Sequence, residues 1–286
     1  MRIDAHQHFW RPERGDYDWL DHADKALRRP FLPAELQPLL CAHDVDATVL
    51  VQAAPSTDET HYLLGIADAC DWVAGVVGWI DFEDPAQSRQ LERLAAHPRL
   101  VGLRPMVQDM GDDRWVLSPS LDWAFNAMRE RGLCFDALGL PRHAPHFLAL
   151  AERYPDLRMV LDHGLKPDIR HQAFDTWADD MQLLAANTGA CCKLSGLVSE
   201  AGRAVSLDGL RPYVEHLLHC FGPDRLMWGS DWPVLTATMP YGDWLHACES
   251  LLSGCDDAAR QNIFGFTAKR FYTLAQSGLP VATGCA

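Results

Sequence analysis

The chain has 286 residues, an apolar fraction of 48% and a formal net charge of −14. That charge argues against a nucleic-acid partner or an anionic membrane surface, and the length allows one large domain or two small ones. No apolar run approaches a membrane span, and no basic region followed by an apolar stretch marks a signal peptide. The nine cysteines are scattered without a CxxC pair, so the expectation is a cytoplasmic protein with reduced thiols and no zinc ribbon.

The first stretch, Arg2-Ile3-Asp4-Ala5-His6-Gln7-His8-Phe9-Trp10, predicts a strand over 2–5 that ends in two histidines. Alternate side chains of a strand share a face, so His6 and His8 are expected to project together. Two such imidazoles can hold a divalent metal or grip a substrate oxygen. Residues 11–33 are rich in aromatics, charges and prolines, including Tyr17, Trp19 and Phe31. Such a segment reads either as a wall over a site or as a surface loop packed by its own aromatics.

Further strands are predicted over 48–51, 73–80, 100–103, 133–135, 158–161, 190–194 and 225–228. Helical spacing covers 36–43, 57–70, 85–96, 120–131, 144–154, 174–187, 207–221, 243–252 and 256–272, with Ser120 as an N-cap. Residues from Ser277 onward are expected to be loose. Eight short apolar strands, each followed by a helix, point to a (β/α)8 TIM barrel in a single domain spanning 1–286. An open doubly wound sheet is disfavoured because no GxGxxG follows the first strand.

Barrels of this kind carry their chemistry at the C-terminal strand ends. Those positions hold His6 and His8, Gln52, Trp79, Arg104, Asp136, His163, Lys193 and Asp231. This set suits the addition of water to a polarised carbonyl. Asp231 can act as general base. Arg104, or a metal on the histidines, can stabilise the developing oxyanion, and His163 can assist it or protonate the leaving oxygen. A serine hydrolase is excluded by the lack of GxSxG.

The ordered motifs His6-Gln7-His8, Tyr17-Asp18-Trp19-Leu20, Gly102-Leu103-Arg104-Pro105, Leu161-Asp162-His163, Lys193-Leu194-Ser195-Gly196 and Gly229-Ser230-Asp231-Trp232-Pro233 carry a family likeness. The chain resembles the amidohydrolase superfamily, and within it the sugar-lactonase branch, from the first strand to about Tyr272. The resemblance implies a (β/α)8 barrel that opens a sugar lactone, L-fuconolactone or a related aldonolactone, to its aldonic acid. It implies His6, His8, His163 and Asp231 as ligands of at most one divalent metal, zinc first, because the further ligands of a binuclear site are missing. Gln52, Asp136, Lys193, Arg142 and His143 are candidates to contact the hydroxyls of such a substrate. Trp19 and Trp232 are candidates to present aromatic faces to it. The partner is then a small molecule, and the oligomeric state stays open. The competing readings are a non-oxidative decarboxylase of an aromatic or unsaturated acid, a hydrolase of a non-sugar lactone, and a non-catalytic binding barrel.

Overall fold

A computed structural model of the chain describes residues 1–202 and 206–275. The expected loose tail from Ser277 lies outside the described residues. Eight strands form one sheet in sequence order: β1 Ile3–Gln7, β2 Ala47–Val51, β3 Val73–Gly78, β4 Leu100–Leu103, β5 Cys134–Ala137, β6 Met159–Leu161, β7 Cys191–Leu194 and β8 Leu226–Trp228. Neighbours from β1 to β8 pair in parallel. The circle is drawn together just beyond the strand ends, where Asp231 N donates to His6 O at 2.8 Å and His8 N donates to Trp232 O at 2.7 Å. This is the expected (β/α)8 barrel.

The main outer helices are α1 Pro33–Ala42, α2 Thr57–Ala69, α3 Ser88–Ala95, α4 Asp122–Arg131, α5 Ala144–Arg153, α6 Asp175–Asn187, α8 Leu207–Arg225 and α9 Tyr241–Leu251. A short α7, Leu197–Ala201, follows β7 and was not foreseen. The single helix expected over 256–272 is three pieces, α10 Asp257–Gln261, a wide π-type turn Asn262–Phe266, and α11 Thr267–Phe271. Ser120 does not cap α4: it lies in a tight turn, Pro119–Leu121, with its hydroxyl 2.8 Å from Ser118 Oγ. Among the described residues, seven cysteines are free thiols, but Cys41 is disulfide-bonded, which corrects the expectation of a fully reduced set.

Two apolar layers follow from strand alternation. Leu50, Leu103, Phe135, Leu161, Leu194 and Trp228 face the helices. Ile3, Val49, Val77, Val101, Cys134, Val160, Cys191 and Met227 fill the barrel, where Ala268, Phe271, Tyr272 and Leu274 of the C-terminal segment join them. The inward positions two residues further along β5, β6 and β7 are Asp136, Asp162 and Lys193, all fully buried. Period-two geometry therefore sets charged groups directly above a dry barrel core. Among the described residues, no helix is long and apolar enough to cross a membrane.

Close strand packing leaves Gly102 no room for a side chain. A Cβ at Gly102 on β4 would meet the Cys134 carbonyl oxygen of β5 at 2.8 Å. Gly102→Ala is expected to destabilise the fold by about 1–3 kcal/mol through this overpacking. Gly65, exposed on α2 with open space around it, is the control: Gly65→Ala should stabilise by roughly 0.5–1 kcal/mol. Urea midpoints at unchanged m-values report both.

Candidate active site

β1 delivers His6 from its last turn of strand and His8 from just beyond it. Their Nε2 atoms lie 3.2 Å apart, so the expected convergence is met, although the β1–β2 register shifts between Asp4 and Gln7. His8 Nδ1 donates to Val51 O at 2.7 Å. A carbonyl can only accept, so this bond places the His8 proton on Nδ1 and turns the Nε2 lone pair inward.

β8 ends in Gly-Ser-Asp, and the approach of β8 to β1 needs that glycine. A Cβ at Gly229 would lie 2.8 Å from His6 Cβ. Asp231 follows in the left-handed region at φ +60°, as does His163 at φ +56°, followed by Gly164, Leu165 and Lys166 with φ between 51° and 58°. Left-handed backbone outside glycine is uncommon and is typically held at functional sites by surrounding structure. At β6 that surrounding structure includes Ser195, whose Oγ is 2.8 Å from His163 Nδ1, and Trp177, whose Nε1 donates to Gly164 O at 2.7 Å.

The result is one focus. Asp231 Oδ1 lies 3.3 Å from His8 Nε2, 3.8 Å from His6 Nε2 and 4.0 Å from His163 Nε2. All four side chains are at least nine-tenths buried. Burial pushes the Asp231 carboxyl up, but His163, His8 and Lys166 together outweigh it and hold the group below the usual carboxylate range. Burial lowers His163 to about 4. Burial, reinforced by Lys193, holds His6 well below the ordinary histidine value. An ionised carboxylate thus sits beside neutral His6 and His163 at ordinary pH. His6, His163 and Asp231 present ligand atoms within 4.8 Å of one another. The ligand atoms of a tetrahedral zinc lie roughly 3.4 Å apart, so the donor set fits one divalent ion.

A second shell of charge lies beneath. Lys193 Nζ contacts Asp136 Oδ2 at 2.6 Å, Asp162 Oδ1 at 3.0 Å and His6 Nδ1 at 3.0 Å. Tyr272 O–H donates to Asp136 Oδ2 at 2.7 Å, which ties the C-terminal segment to the site. Arg104 Nη1 lies 3.3 Å from both Asp162 Oδ2 and His6 Nε2. Its Nη2 donates to the Gln52 carbonyl and, at 3.2 Å, to Gln52 Oε1, while Gln52 Nε2 returns a bond of 2.8 Å to Arg104 O.

The structure therefore brings His6, His8, His163, Asp231, Arg104, Gln52, Asp136 and Lys193 to one mouth, but not in one layer. Asp136 and Lys193 are fully buried and engaged with each other. Gln52 is likewise locked on Arg104. Arg142 is exposed and pairs with Asp113 at 2.7 Å, and His143 lies 3.2 Å from the same carboxylate. Neither reaches the focus. Trp19 is half-buried, donating Nε1 to Ala53 O at 2.8 Å and crossing Trp10 edge-on. Trp232 is buried against Phe9 and Phe31. The aromatics of 11–33 thus form a wall built onto the strand ends rather than a separate surface loop.

Sequence reasoning missed three supports. Asp162 was detectable as the next inward residue after Val160. Ser195 and Asp4 act through distant partners and leave no local signal. Asp4 Oδ1 accepts from Ser230 N at 2.8 Å and from His6 N at 3.2 Å, and Tyr241 O–H donates to Oδ2 at 3.1 Å. This carboxylate ties β1 to the loop that carries Asp231.

The amidohydrolase family profile matches residues 3–274. An L-fucono-1,5-lactonase of Burkholderia ambifaria is 43% identical over 96% of this chain and 96% of its own length. A second L-fucono-1,5-lactonase, from Burkholderia multivorans, is 35% identical over 96% of this chain and 97% of its own. The crystal structure of a Burkholderia multivorans amidohydrolase with bound zinc is 35% identical, covers 96% of this chain and 100% of that one, and superposes with a TM-score of 0.89.

Burial, eased only in part by its hydrogen bonds, lifts the Asp4 carboxyl from 3.8 to about 6. The fold retains a proton that the unfolded chain gives up, so the contribution of Asp4 to stability is fullest below about 3.8 and is lost as pH rises through about 6. Asp4→Asn keeps the shape without the titration. Its stability relative to wild type is expected to improve by roughly 2–3 kcal/mol between those limits. Urea denaturation at several pH values measures it, and a pH-independent difference would contradict the assignment.

Proposed function

This chain belongs to the amidohydrolase family, and from that premise we propose that it opens L-fucono-1,5-lactone, or a closely related sugar lactone, to the aldonic acid. The observation that carries the reading is Asp231, an ionised carboxylate surrounded by three imidazoles at the mouth of the barrel. Likeness to L-fucono-1,5-lactonases along almost the whole chain supports the lactone as the substrate. It also weighs against the decarboxylase alternative.

Asp231 takes a proton from water as the water oxygen bonds to the lactone carbonyl carbon. The carbonyl electron pair moves to its oxygen, and Arg104, held beside His6, contributes positive charge toward that oxyanion. Collapse breaks the bond between the carbonyl carbon and the ring oxygen. The proton taken by Asp231 passes to the neutral His163, whose Nε2 lies 4.0 Å away, and from there to the departing ring oxygen. The sum is water plus lactone giving a hydroxy acid, which ionises and releases one proton to solvent. Lys193, Asp136, Asp162 and Gln52 orient this apparatus from beneath rather than touching the sugar. Trp19, bonded to Ala53 O and packed edge-on against Trp10, is the aromatic side chain proposed to face the sugar ring.

Where a divalent ion such as zinc binds, His6, His163 and Asp231 would hold it with His8 alongside, and it supplies Lewis-acid polarisation of the carbonyl. A small-molecule partner fits the buried, narrow focus. One domain spanning 1–286 and a cytoplasmic setting complete the proposal.

Wild-type protein in weak buffer with a pH indicator is expected to acidify on L-fucono-1,5-lactone above the uncatalysed rate. Failure with every sugar lactone tried, together with release of carbon dioxide from an aromatic acid, would replace this reading with decarboxylation. Asp231→Asn is expected to lower kcat by about 10²-fold or more through loss of the general base. Turnover near wild type would remove Asp231 from that role. Elemental analysis after zinc loading is expected to give no more than about one ion per chain, as one four-donor cluster allows.

A further inference from the structure

The fully buried contact between Lys193 Nζ and His6 Nδ1, 3.0 Å long, does more than neutralise carboxylates. An ammonium has three N–H donors and no acceptor. Lys193 hydrogen-bonds two acceptors, Asp136 Oδ2 at 2.6 Å and His6 Nδ1 at 3.0 Å, and pairs electrostatically with Asp162 Oδ1 at 3.0 Å, an oxygen without a hydrogen-bond partner among the described residues. Two cations, Lys193 and Arg104, face two carboxylates, Asp136 and Asp162, so the layer balances with Lys193 as ammonium and His6 as a neutral ring. We propose that Lys193 is a positioning residue that holds His6 in the tautomer with its proton on Nε2, making His6 a hydrogen-bond donor into the focus.

Two other contacts of the ring argue for the opposite tautomer and are weaker. Asp162 Oδ1 lies 3.5 Å from Nδ1, where it would accept a proton. Arg104 Nη1 lies 3.3 Å from Nε2, where it would need a lone pair. A neutral imidazole has one lone pair, so Lys193 and Arg104 cannot both donate to it. The Lys193 contact is shorter, and Arg104 Nη1 has Asp162 Oδ2 at the same 3.3 Å.

The tautomer decides how the focus is held together. The His8 proton is committed to Val51 O, so His8 Nε2 and Asp231 Oδ1 both offer lone pairs, 3.3 Å apart. The Nε2 proton of His6, 3.2 Å from His8 Nε2 and 3.8 Å from Asp231 Oδ1, is the donor that reconciles them. A cation bound through His6 Nε2 must displace that proton. Lys193 therefore biases the site toward the proton and against the ion. Without the ammonium, the ring is free to turn its proton to Asp162 Oδ1 and bare its Nε2.

The test uses full-length protein with ¹⁵N-labelled histidine, metal-free, with His6→Asn assigning the His6 signals in two-bond proton–nitrogen spectra. Wild type is expected to show His6 Nδ1 unprotonated and Nε2 protonated, and Lys193→Met the reverse. Zinc chloride titrated calorimetrically should bind the Met variant about 10-fold or more tightly, the scale on which groups behind a metal-binding histidine act. With L-fucono-1,5-lactone, kcat should fall while KM changes little. A protonated Nδ1 in wild type, or an unchanged His6 tautomer in folded Lys193→Met, would overturn the proposal. Should the single variant fail to fold, Lys193→Met with Asp136→Asn removes one charge of each sign and repeats the measurement. Only the kinetic arm rests on the lactonase reading: the expected spectra in a protein that turns over no lactone would sustain the tautomer and sink the reading.

Discussion

Four charges buried at the level where the strands end constrain everything above them. Lys193 and Arg104 face Asp136 and Asp162, each at most 3% exposed. A buried charge that loses its partner is strongly destabilising, whereas a matched set is tolerated. The four residues come from β4, β5, β6 and β7 or their ends, so the match is kept only if those strands hold one register. Tyr272 extends the constraint to the C-terminal segment, because its hydroxyl donates to Asp136 Oδ2. Charge balance and barrel geometry thus stabilise each other.

That layer also explains the electrostatics of the focus. His6 rests on Lys193, and Arg104 stands beside it, so positive charge surrounds a ring that burial already keeps neutral. Asp231 lies on the far side of His6, close enough to the imidazoles and Lys166 to stay ionised despite its burial. A carboxylate kept ionised beside neutral His6 and His163 has a free lone pair with which to take a proton from water and pass it on. The same lone pairs suit a divalent ion, so proton and metal compete for one small volume.

Both loops that present the reacting groups carry left-handed backbone outside glycine, which also occurs at Asp44, Gln172 and Thr273. The left-handed residues from His163 to Lys166 and at Asp231 are fastened by bonds to Ser195, Trp177, His6 and Ser230. Asp4 reinforces the second loop from below. The aromatic wall of Trp10, Trp19, Phe31 and Trp232 closes the β1 side, where edge-on contacts bind segments distant in sequence.

Short apolar strands alternating with helical spacing determined the eightfold barrel, because burial on both faces requires parallel strands covered by helices. Strand-end position likewise marked His6, His8, His163 and Asp231 before any contact was known, since a barrel aims its C-terminal strand ends at one mouth. Tertiary structure decided which of the polar residues meet the focus and which lie beneath it. Lys193 and Asp136 carry the same residue types whether they face a sugar or each other, and only the 2.6 Å contact between them distinguishes the two. Arg142 and His143 sat near a strand end in sequence, yet the β5–α5 loop directs them to Asp113 instead. Asp4 and Ser195 drew no notice because their partners, Ser230 and His163, are 226 and 32 residues away. Hydrogen bonds across such separations have no period for a sequence to display; they exist only once the barrel has closed.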